Sequence, residues 1–583
     1  MCRSNINYKR RFSMKFLIER RQPASGSGDW VWPANTHRVL RQVFSRRSIH
    51  SPEELDRNLA RLRPINQFAS LEHAVDLLCK HRSQRVVIVG DFDADGATST
   101  ALMYLCLKKL SFSKVEFFLP DRFNLGYGLT VETVDRVCQG SAAERPSLLI
   151  TVDNGITSID GVGAARAQGV DVLITDHHLP GERAPNANAI VNPNIQGDTF
   201  SGKYLAGVGV VFYLLAALGQ RLGEPGLVAS YLDLVALGTV ADLVPLDQSN
   251  RILIYEGLLR IQAGRCRPGI RALCRVAEIR LRSVTSSSLG FKVAPRLNAA
   301  GRLEDMTIGV RCLVTEDEDE ALELAHQLDK LNYERRDIER RMRTQAEELV
   351  DTEYALGVDG STHIVCLFRH DWHEGVVGLI ASKIKERCYR PVIAFAPSKP
   401  GVLKGSGRSI PGFHLRDALA NVDRTQPGLI ERFGGHAMAA GLTLKSSALG
   451  SFQVAMEAEA QARMDPEMLS GRILTDGELG LEDFSVELAT ILRDAGPWGQ
   501  GFPEPCFDGI FDVVNQRIVG DAHLKITLKP VDGSCLLDAI AWNRTLGEWD
   551  NGARVHVVYR LEVNEFFKTP TVQLMVDHIE MAC

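Results

Sequence analysis

The length, composition and charge of the chain limit what kind of protein it can be. At 583 residues it is too long for a single hydrophobic core, and about three or four domains are expected. Its 45% hydrophobic and 24% charged residues are typical of globular proteins, and no window of about 18 uninterrupted apolar residues predicts a membrane span. The net charge of −5 gives no overall basic surplus, so any contact with nucleic acid must depend on local basic patches.

The cysteines and the N-terminal residues predict a cytoplasmic protein. The twelve cysteines are scattered without CxxC spacing, which favours reduced thiols over disulfides or a zinc site. The opening MCRSNINYKRRFSMKFLIERR is basic but has no continuous apolar segment, which argues against secretion. This composition fits either an organelle transit peptide or a true translation start at Met14, and we favour the second explanation.

Residues 1–80 are predicted to form a mostly helical lead-in. The segment SPEELDRNLARL has a Ser-x-x-Glu capping-box pattern at Ser51 and Glu54, followed by apolar residues at spacings of three and four. We therefore expect a helix in this segment.

A doubly wound α/β domain is predicted over residues 81–314. Continuous apolar runs alternate with helix-like segments such as GATSTALMYLCLKKL, which is typical of a parallel sheet covered on both faces. The predicted strands are residues 85–90, 114–120, 147–153, 170–176 and 189–193. Ligands of such sheets bind outside the carboxyl ends of the strands, so the polar residues after each run are the candidates for a site.

The remaining residues divide into three segments. Residues 315–350 contain neither Gly nor Pro and run from acidic to basic, which predicts one long connecting helix. A second, smaller α/β domain with glycine-rich stretches is expected over residues 351–465. Residues 466–583 form short β-like pieces separated by turn residues, which fits a β-barrel such as an OB-fold.

Acidic residues and histidines repeatedly follow the apolar runs of the first α/β domain. They are Asp91, Asp93, Asp95, Asp153, Asp176, His177, His178 and Asp242. A single Asp after a strand usually begins a turn or caps a helix, and a pair of histidines can simply satisfy the local backbone. Several carboxylates at one rim, however, would repel one another and protonate unless a cation lay between them. The pattern therefore favours a divalent metal site.

The residue types indicate which metal such a site would bind. Carboxylates combined with imidazole, without cysteine at matching positions, favour Mn²⁺ or Mg²⁺ over a structural zinc. Two such ions can activate water for attack on phosphorus, as in many phosphatases and nucleases. Gly96, at the start of the next predicted helix, would let backbone N–H groups approach a phosphate.

Five ordered motifs carry a resemblance to a known family. The segments DFDADGATS, ITVDNGI, TDHH and LGTVADLVPL resemble the first four motifs of the DHH phosphoesterase superfamily, and FKVAPRLNAAGRL resembles a further motif of its RecJ branch. GSGRS and GGHAMAAG resemble the DHHA1 substrate-binding domain, and the β-rich tail resembles the OB-fold of that branch. The resemblance covers about residues 40–583 and implies an exonuclease that acts 5′-to-3′ on single-stranded DNA.

The resemblance implies metal ligands and catalytic residues. The implied ligands of two Mn²⁺ or Mg²⁺ ions are Asp93, Asp95, Asp153, His177 and Asp242, with Asp153 as the bridge. Asp91 would be a further ligand or a group behind the ligands, and Asp176 would orient an imidazole or bind metal. His178 would face the scissile phosphate, where it stabilises charge or helps to transfer a proton to the leaving oxygen.

The resemblance also implies a set of substrate-binding residues. They are Arg122, Arg296, Asn298, Arg302, Ser406, Arg408, Gly434, Gly435 and His436. Arginines can meet phosphate oxygens with paired N–H donors, although a solvated surface charge is equally open for Arg302. Ser406 and Arg408 would anchor the terminal 5′-phosphate and so set polarity. Gly434 and Gly435, with the following histidine, would face the metal site unless the glycines only form a tight turn.

Three aromatic residues of the tail are candidates for stacking on single strands. Phe507, Phe511 and Trp542 could serve in this way, but a position in the core is favoured for each of them.

The expected function is removal of nucleotides from a 5′ end of single-stranded DNA in recombination and repair. One alternative is a DHH phosphoesterase for short oligonucleotides or cyclic dinucleotides, against which the additional tail argues. Another is a non-catalytic scaffold of a replication complex, against which the complete set of metal carboxylates argues. The expected partners are single-stranded DNA, a single-stranded-DNA-binding protein and a helicase, with no membrane and a monomeric chain.

Overall fold

The structure is a computed structural model that describes most of the chain. The described residues are 16–23, 31–47, 49–141, 144–354, 362–520, 523–533, 535–542, 544, 549–565 and 569–582. The candidate start at Met14 lies outside them. Within these ranges no helix is both long and apolar enough to cross a bilayer. The ten cysteines in these ranges are free thiols.

The chain divides into two compact units. One comprises residues 20–332 and 475–583, and the other comprises residues 16–19 and 333–474. The predicted lead-in from residue 20 onwards, the first α/β domain and the barrel strands therefore belong to the first unit, whereas the second α/β domain belongs to the other.

The lead-in contains less helix than predicted. Its elements are β1 (Phe16–Arg20), α1 (Arg38–Ser45) and α2 (Ser70–Lys80). The predicted helix in SPEELDRNLARL is wrong: only short 3₁₀ turns form, at Pro52–Leu55 and Leu59–Arg61, and the Ser51 side chain makes no capping bond. The Asp56 carboxylate instead accepts the N–H of Asn58 at 3.0 Å, a local turn that competes with helix formation.

The predicted doubly wound sheet is confirmed. Five parallel strands lie in the order β3-β2-β4-β5-β6. The strands are β2 (Arg85–Gly90), β3 (Lys114–Phe118), β4 (Leu148–Val152), β5 (Asp171–Thr175) and β6 (Ala189–Val191), and the helices are α3 (Ala94–Lys109), α4 (Val131–Val137), α5 (Ile159–Ala167) and α6 (Gly207–Leu222). Val86 and Ile88 pack into one core and Val87 and Val89 into another, so both faces of the sheet are covered.

A helical layer follows the sheet. Its helices are α7 (Leu232–Ala241), α8 (Gln248–Gln262), α9 (Pro268–Val276), α10 (Ser286–Ser288), α11 (Ala294–Leu303) and α12 (Thr307–Val314). The apolar run before Asp242 differs from the runs before the other acidic residues, because it forms helix α7 and not a strand. Residues 232–239 are all buried, so the run lacks the exposed polar face that reveals helical periodicity.

The predicted connecting helix is α13 (Glu318–Glu353). Its first turn contains three acidic residues, and the Asp317 carboxylate accepts the N–H groups of Asp319 and Glu320 at 2.8 and 2.9 Å. Negative charge at this end is favourable because the N-terminus of a helix carries partial positive charge.

The second unit contains a mixed five-stranded sheet in the order β10-β11-β9-β8-β7. Its elements are β7 (Val365–Phe368), α14 (Val377–Cys388), β8 (Val392–Lys399), β9 (Val402–Arg408), α15 (Leu415–Thr425), β10 (Arg432–Gly435), β11 (Ala439–Lys445) and α16 (Leu449–Arg463). Only β7 and β8 pair in parallel.

The tail forms the predicted five-stranded barrel. After β12 (Gly471–Thr475) and α17 (Val486–Asp494) come β13 (Phe507–Val519), β14 (His523–Pro530), β15 (Leu537–Ala541), β16 (Arg554–Asn564) and β17 (Thr571–Met581). The barrel closes in the order β13-β14-β15-β17-β16. Phe507 and Phe511 lie in its core as favoured, but Trp542 is 54% exposed, so the core prediction is wrong for this residue.

Candidate metal centre and substrate-binding residues

The predicted acidic residues converge at the carboxyl edge of the first sheet. Asp91 follows β2 and Asp153 follows β4, the two strands between which the strand order reverses. Asp153 is 2% exposed and has a φ of +63°, a left-handed conformation that Asp tolerates better than most residues. The sheet therefore places its two central acids where ligands of such folds bind.

Seven of these residues form three overlapping groups of potential metal ligands. The groups are Asp91, Asp93 and Asp153; Asp95, His177 and Asp242; and Asp153, His177 and His178. In each group the ligand atoms lie within 4.8 Å of one another. His177 Nε2 lies 3.2 Å from Asp153 Oδ1 and 3.4 Å from Asp242 Oδ2. Asp153 and His177 each belong to two of the groups, and of the two only the carboxylate has two oxygens with which to meet two ions.

The carboxylates of Asp93 and Asp91 accept backbone N–H groups of the turn between β2 and α3. Asp93 is the N-cap of α3, and its Oδ1 accepts the N–H groups of Asp95 and Gly96, each at 3.0 Å. Asp91 is buried, and its Oδ1 accepts the N–H of Phe92 at 2.8 Å. The second oxygen of each carboxylate, Oδ2, takes no part in these hydrogen bonds.

Asp95 has a structural partner that sequence reasoning missed. Its Oδ2 and Oδ1 accept the N–H groups of Gly207 and Val208 at 2.7 and 2.9 Å, at the start of α6, where Ala206 supplies no side-chain cap. A Cβ atom on Gly207 would lie 2.4 Å from Asp153 Oδ1, so only glycine leaves room for that carboxylate. The small residues of AGVGVV are the sequence feature that could have indicated this close approach of α6.

The motif APRLNAAGRL packs directly on the acidic turn. Asn298 Oδ1 accepts the N–H of Ala94 at 2.8 Å, within the first turn of α3. A Cβ atom on Gly301 would lie 1.7 Å from the carbonyl oxygen of Phe92, so the close approach of α11 requires glycine. In this structure Asn298 therefore positions the metal-site turn.

Asp176 is occupied by hydrogen bonds to its neighbours. Its Oδ1 accepts the N–H groups of His177 and His178 at 2.7 and 3.0 Å and lies 2.7 Å from His178 Nδ1, while its Oδ2 accepts the N–H of Ile156 at 3.0 Å. Burial alone would raise the pKa of Asp176, but the hydrogen bond and charge of His178 lower it. Of the two proposed roles, these contacts favour orientation of the imidazole over metal binding.

His178 is correspondingly held in its protonated form. Burial lowers the pKa of His178, but Asp176 and the more distant Asp242 and Asp91 outweigh that effect and raise it to about 9. The Tyr127 hydroxyl lies 3.4 Å from Nδ1, and its ring meets the imidazole edge-on. Because Asp176 accepts from Nδ1, Nε2 is the nitrogen left to act on another group.

The carboxylates of the centre are costly to ionise together. Burial, followed by repulsion from Asp93, raises the pKa of Asp91 well above its usual value and that of Asp95 to about 7. Burial, followed by repulsion from Asp95, raises the pKa of Asp153 and of Asp242 well above the usual value. A divalent cation would remove this cost.

The donor set fits Mn²⁺ or Mg²⁺. Asp153 Oδ1 is a buried oxygen that accepts no hydrogen bond from the described part of the chain. The candidate ligands are carboxylate oxygens and imidazole nitrogens, which suit these ions, and no cysteine of the described ranges takes part.

The predicted arginines occupy different environments. The Arg122 guanidinium lies 4.6 Å from the centre of the Phe92 ring, beside the acidic turn. Arg296 instead pairs with Asp329 at 2.8 Å and is largely buried, so its charge is balanced within the chain. Arg302 is half-buried in the last turn of α11.

The remaining predicted residues lie together in the second unit. Strand pairing aligns Ser406 of β9 with Gly441 of β11, and Gly441 with Gly434 of β10. Gly435 has a φ of +136°, which glycine adopts readily, and the N–H of His436 donates to the carbonyl of Ala439.

The start of α14 lies beside Ser406 and Arg408. A Cβ atom on Gly378 would lie 3.0 Å from Ser406 Oγ and 3.2 Å from Arg408 Nη2. Burial lowers the pKa of Arg408, and no carboxylate of the described residues forms an ion pair with it. A largely buried guanidinium, a hydroxyl and the N-terminal turn of a helix together suit an anion.

Comparison with known proteins identifies the family. Models of the DHH family N-terminal domain, the DHHA1 domain and the RecJ OB domain match residues 85–239, 360–462 and 475–578. The chain is 46% identical over 561 residues to the single-stranded-DNA-specific exonuclease RecJ of Escherichia coli strain K12, across 94% of this chain and 96% of that protein. The chain belongs to the RecJ family. The resemblance inferred from the motifs is confirmed.

Other RecJ proteins extend the similarity. The chain is 36% identical over 520 residues to RecJ of Bacillus subtilis strain 168, across 88% of this chain and 63% of that protein. The crystal structure of RecJ in complex with Mn²⁺ from Thermus thermophilus superposes with a TM-score of 0.80 at 28% identity, across 98% of this chain and 80% of that one. A related structure of RecJ from the same organism contains Mg²⁺.

Proposed function

We propose that this RecJ-family chain is a metal-dependent exodeoxyribonuclease that removes nucleotides from the 5′ end of single-stranded DNA in recombination and repair. The observation that carries the proposal is the convergence of five carboxylates and two imidazoles after β2, β4, β5 and α7. Relatives that match most of this chain are named single-stranded-DNA-specific exonucleases, and related structures contain Mn²⁺ or Mg²⁺.

Two Mn²⁺ or Mg²⁺ ions are the proposed cofactors. Asp153 would be shared between them, because it belongs to two ligand groups and its carboxylate has two oxygens. Asp93, Asp95, His177 and Asp242 would complete the set, with Asp91 beside them. Bound ions supply Lewis-acid stabilisation of phosphate charge and lower the pKa of a coordinated water.

His178 is proposed to act on the scissile phosphate through Nε2. The Asp176 carboxylate holds Nδ1 at 2.7 Å, which fixes the ring and keeps it cationic. A cationic imidazole can stabilise negative charge on the phosphate or donate its Nε2 proton to the leaving 3′ oxygen. Both actions need the same orientation.

The 5′-to-3′ polarity is proposed to come from the second unit. A terminal 5′-phosphate carries more negative charge than an internal phosphodiester, and so gains more from a guanidinium and a helix N-terminus. Ser406, Arg408 and Gly378 supply such a set. The small residues Gly434 and Gly435 on the adjoining strands leave the backbone accessible.

The barrel is proposed to bind the strand beyond the cleaved end. OB-folds bind single strands by combining exposed aromatic rings with basic side chains. Trp542 is exposed and packs edge-on against His523 at 4.5 Å between ring centroids. Arg517 and Lys525 face each other on the paired strands β13 and β14.

The cellular setting follows from the proposed substrate. Single strands arise when duplex DNA is unwound and are coated in the cell, so a helicase and a single-stranded-DNA-binding protein are the partner classes we infer. The free thiols fit a cytoplasmic location, and we propose that the chain works as a monomer.

The decisive experiment combines end-labelled strands with matched carboxylate variants. The purified full chain should release labelled mononucleotides at once from 5′-labelled single strands in Mn²⁺ or Mg²⁺, and should shorten 3′-labelled strands gradually. Asp153→Asn should abolish release, whereas Asp160→Asn, at an exposed position in α5, should cleave normally. Early release from the 3′ end would contradict the polarity.

Two other outcomes would indicate different functions. Cleavage of short oligonucleotides or cyclic dinucleotides, but not of long strands, would identify a small-substrate phosphoesterase. Metal binding without cleavage of any substrate would identify a non-catalytic scaffold.

A further inference from the structure

Leu243 directly follows the candidate ligand Asp242 and combines two unfavourable properties. Its φ is +60°, in the left-handed region that a leucine seldom adopts, and its side chain is 69% exposed. Helices often end with glycine in this conformation, and glycine here would remove both the strain and the exposed apolar surface. Neither packing nor helix termination therefore explains a leucine.

The surrounding residues hold this strained loop in place. The N–H of Leu246 donates to the carbonyl of Gln500 at 2.7 Å, and the Arg251 guanidinium donates to the carbonyl of Leu246 at 2.8 Å. The Asn250 amide donates to the carbonyl of Pro245 at 2.9 Å. Backbone strain that the surroundings maintain is found mainly at functional sites.

Leu243 lies at the edge of the metal centre. The preceding Asp242 reaches within 3.4 Å of His177 Nε2. On the His178 side of the centre, Tyr127 is 45% exposed. Exposed apolar side chains therefore lie next to Asp242 in the chain and beside His178.

We propose that Leu243 packs against a nucleobase next to the scissile phosphate and acts as a wedge between successive bases. This inference rests on the proposed function. Aliphatic side chains insert between base steps in other DNA-binding proteins. They can pack against any of the bases, because every base has an apolar face. A wedge that must separate adjacent bases disfavours duplex DNA, in which stacking and pairing hold the bases together. Leu243 would therefore be a specificity-determining residue for single strands.

Glycine variants separate the side chain from the backbone strain. Leu243→Gly removes the side chain and suits the positive φ, so its melting temperature should equal or exceed that of the wild type. Glu278→Gly is the matched control, because Glu278 is exposed and has a φ of +56°. Leu243→Met retains an apolar side chain of similar length and should behave as the wild type does.

The test compares three 5′-phosphorylated single strands of one sequence: intact, abasic at the first nucleotide, and abasic at the second nucleotide. For the wild type, kcat/KM should be lower by about fivefold on at least one abasic strand, as expected for losing a fraction of a stacking contact. Leu243→Gly should cleave the intact strand more slowly by a similar factor and should discriminate little among the three strands. Glu278→Gly should retain the wild-type preference.

Several results would overturn the inference. The wedge is excluded if the wild type cleaves all three strands equally, or if Leu243→Gly keeps the wild-type ratio among them. A uniform loss of rate with an unchanged ratio would instead indicate that Leu243 supports the metal loop. Failure of the wild type to cleave any strand would refute the proposed function itself, which is a distinguishable outcome.

Discussion

The Asp176 carboxylate lies 2.7 Å from His178 Nδ1 and is itself the acceptor for three backbone N–H groups. These contacts favour orientation of the imidazole over metal binding as the role of Asp176. Asp176 also belongs to none of the groups of potential metal ligands found in the described ranges.

The variant Asp176→Asn tests whether Asp176 orients His178 or binds metal. The variant loses the charge that keeps His178 cationic and oriented, so kcat on single-stranded DNA should fall by about 10- to 100-fold. Mn²⁺ affinity, measured by calorimetry, should change little because no ligand is removed. Equal losses of Mn²⁺ affinity and activity would mean that Asp176 binds metal.

Asp153→Asn should have opposite effects on stability with and without metal. Burial raises the pKa of Asp153, so its charged form destabilises the metal-free fold at neutral pH. The variant should therefore melt at an equal or higher temperature in EDTA. It should lose the increase in melting temperature that Mn²⁺ causes in the wild type. That increase corresponds to about 2.7 kcal/mol of added stability when the Mn²⁺ concentration is 100 times the Kd. A preserved rise would refute the bridging assignment.

The lowered pKa of Asp508 predicts that the first unit loses stability in acid. Burial opposes ionisation, but hydrogen bonds from Arg20, Thr475 and His556 lower the pKa of Asp508. A depressed folded-state pKa stabilises the fold above the unfolded pKa of about 3.9, and this contribution disappears as pH falls through the folded value. Asp508→Asn should cost about 2 kcal/mol at pH 7 in denaturant unfolding and progressively less below about pH 4.

Asp512→Asn is the control for that measurement. Asp512 pairs with the exposed Arg554 at 3.1 Å, and surface ion pairs contribute only about 0–1 kcal/mol. A pH-independent effect of Asp508→Asn would contradict the assignment.

Arg408→Gln tests the 5′-phosphate site. The wild type should prefer 5′-phosphorylated over 5′-hydroxyl strands, and the variant should lose that preference by about tenfold or more in kcat/KM, because a charge-assisted contact is removed. Arg424→Gln, at an exposed position in α15, should retain it. An unchanged preference in Arg408→Gln would exclude this site.

Trp542→Ala tests the barrel surface. Loss of one aromatic platform costs about 1–3 kcal/mol, so the Kd for a long single strand should rise at least about fivefold. Cleavage of a dinucleotide too short to reach the barrel should be unaffected. Met581→Ala, another exposed barrel residue, is the matched control, and equal effects of the two variants would argue against a stacking role.

Local pattern predicted the strands of the first sheet closely. The prediction of residues 85–90 matches β2, and the other strands end within two residues of their expected limits. Apolar runs bounded by polar turns are sufficient there because a buried parallel strand must be apolar on both faces. The same reasoning cannot distinguish α7 from a strand, since a helix buried on all sides has the same apolar pattern.

The sequence by itself determined which side chains could form the centre. Asp93, Asp95, Asp153, His177 and Asp242 could be recognised because each follows an apolar run. For the first four the run is a strand, and the chain direction places such strand ends at one edge of a parallel sheet. Only the tertiary structure decided the role of each side chain. Asp95 also caps α6, and Arg296 is neutralised by Asp329. Such contacts join residues far apart in the chain, so they depend on how helices pack and not on any local spacing.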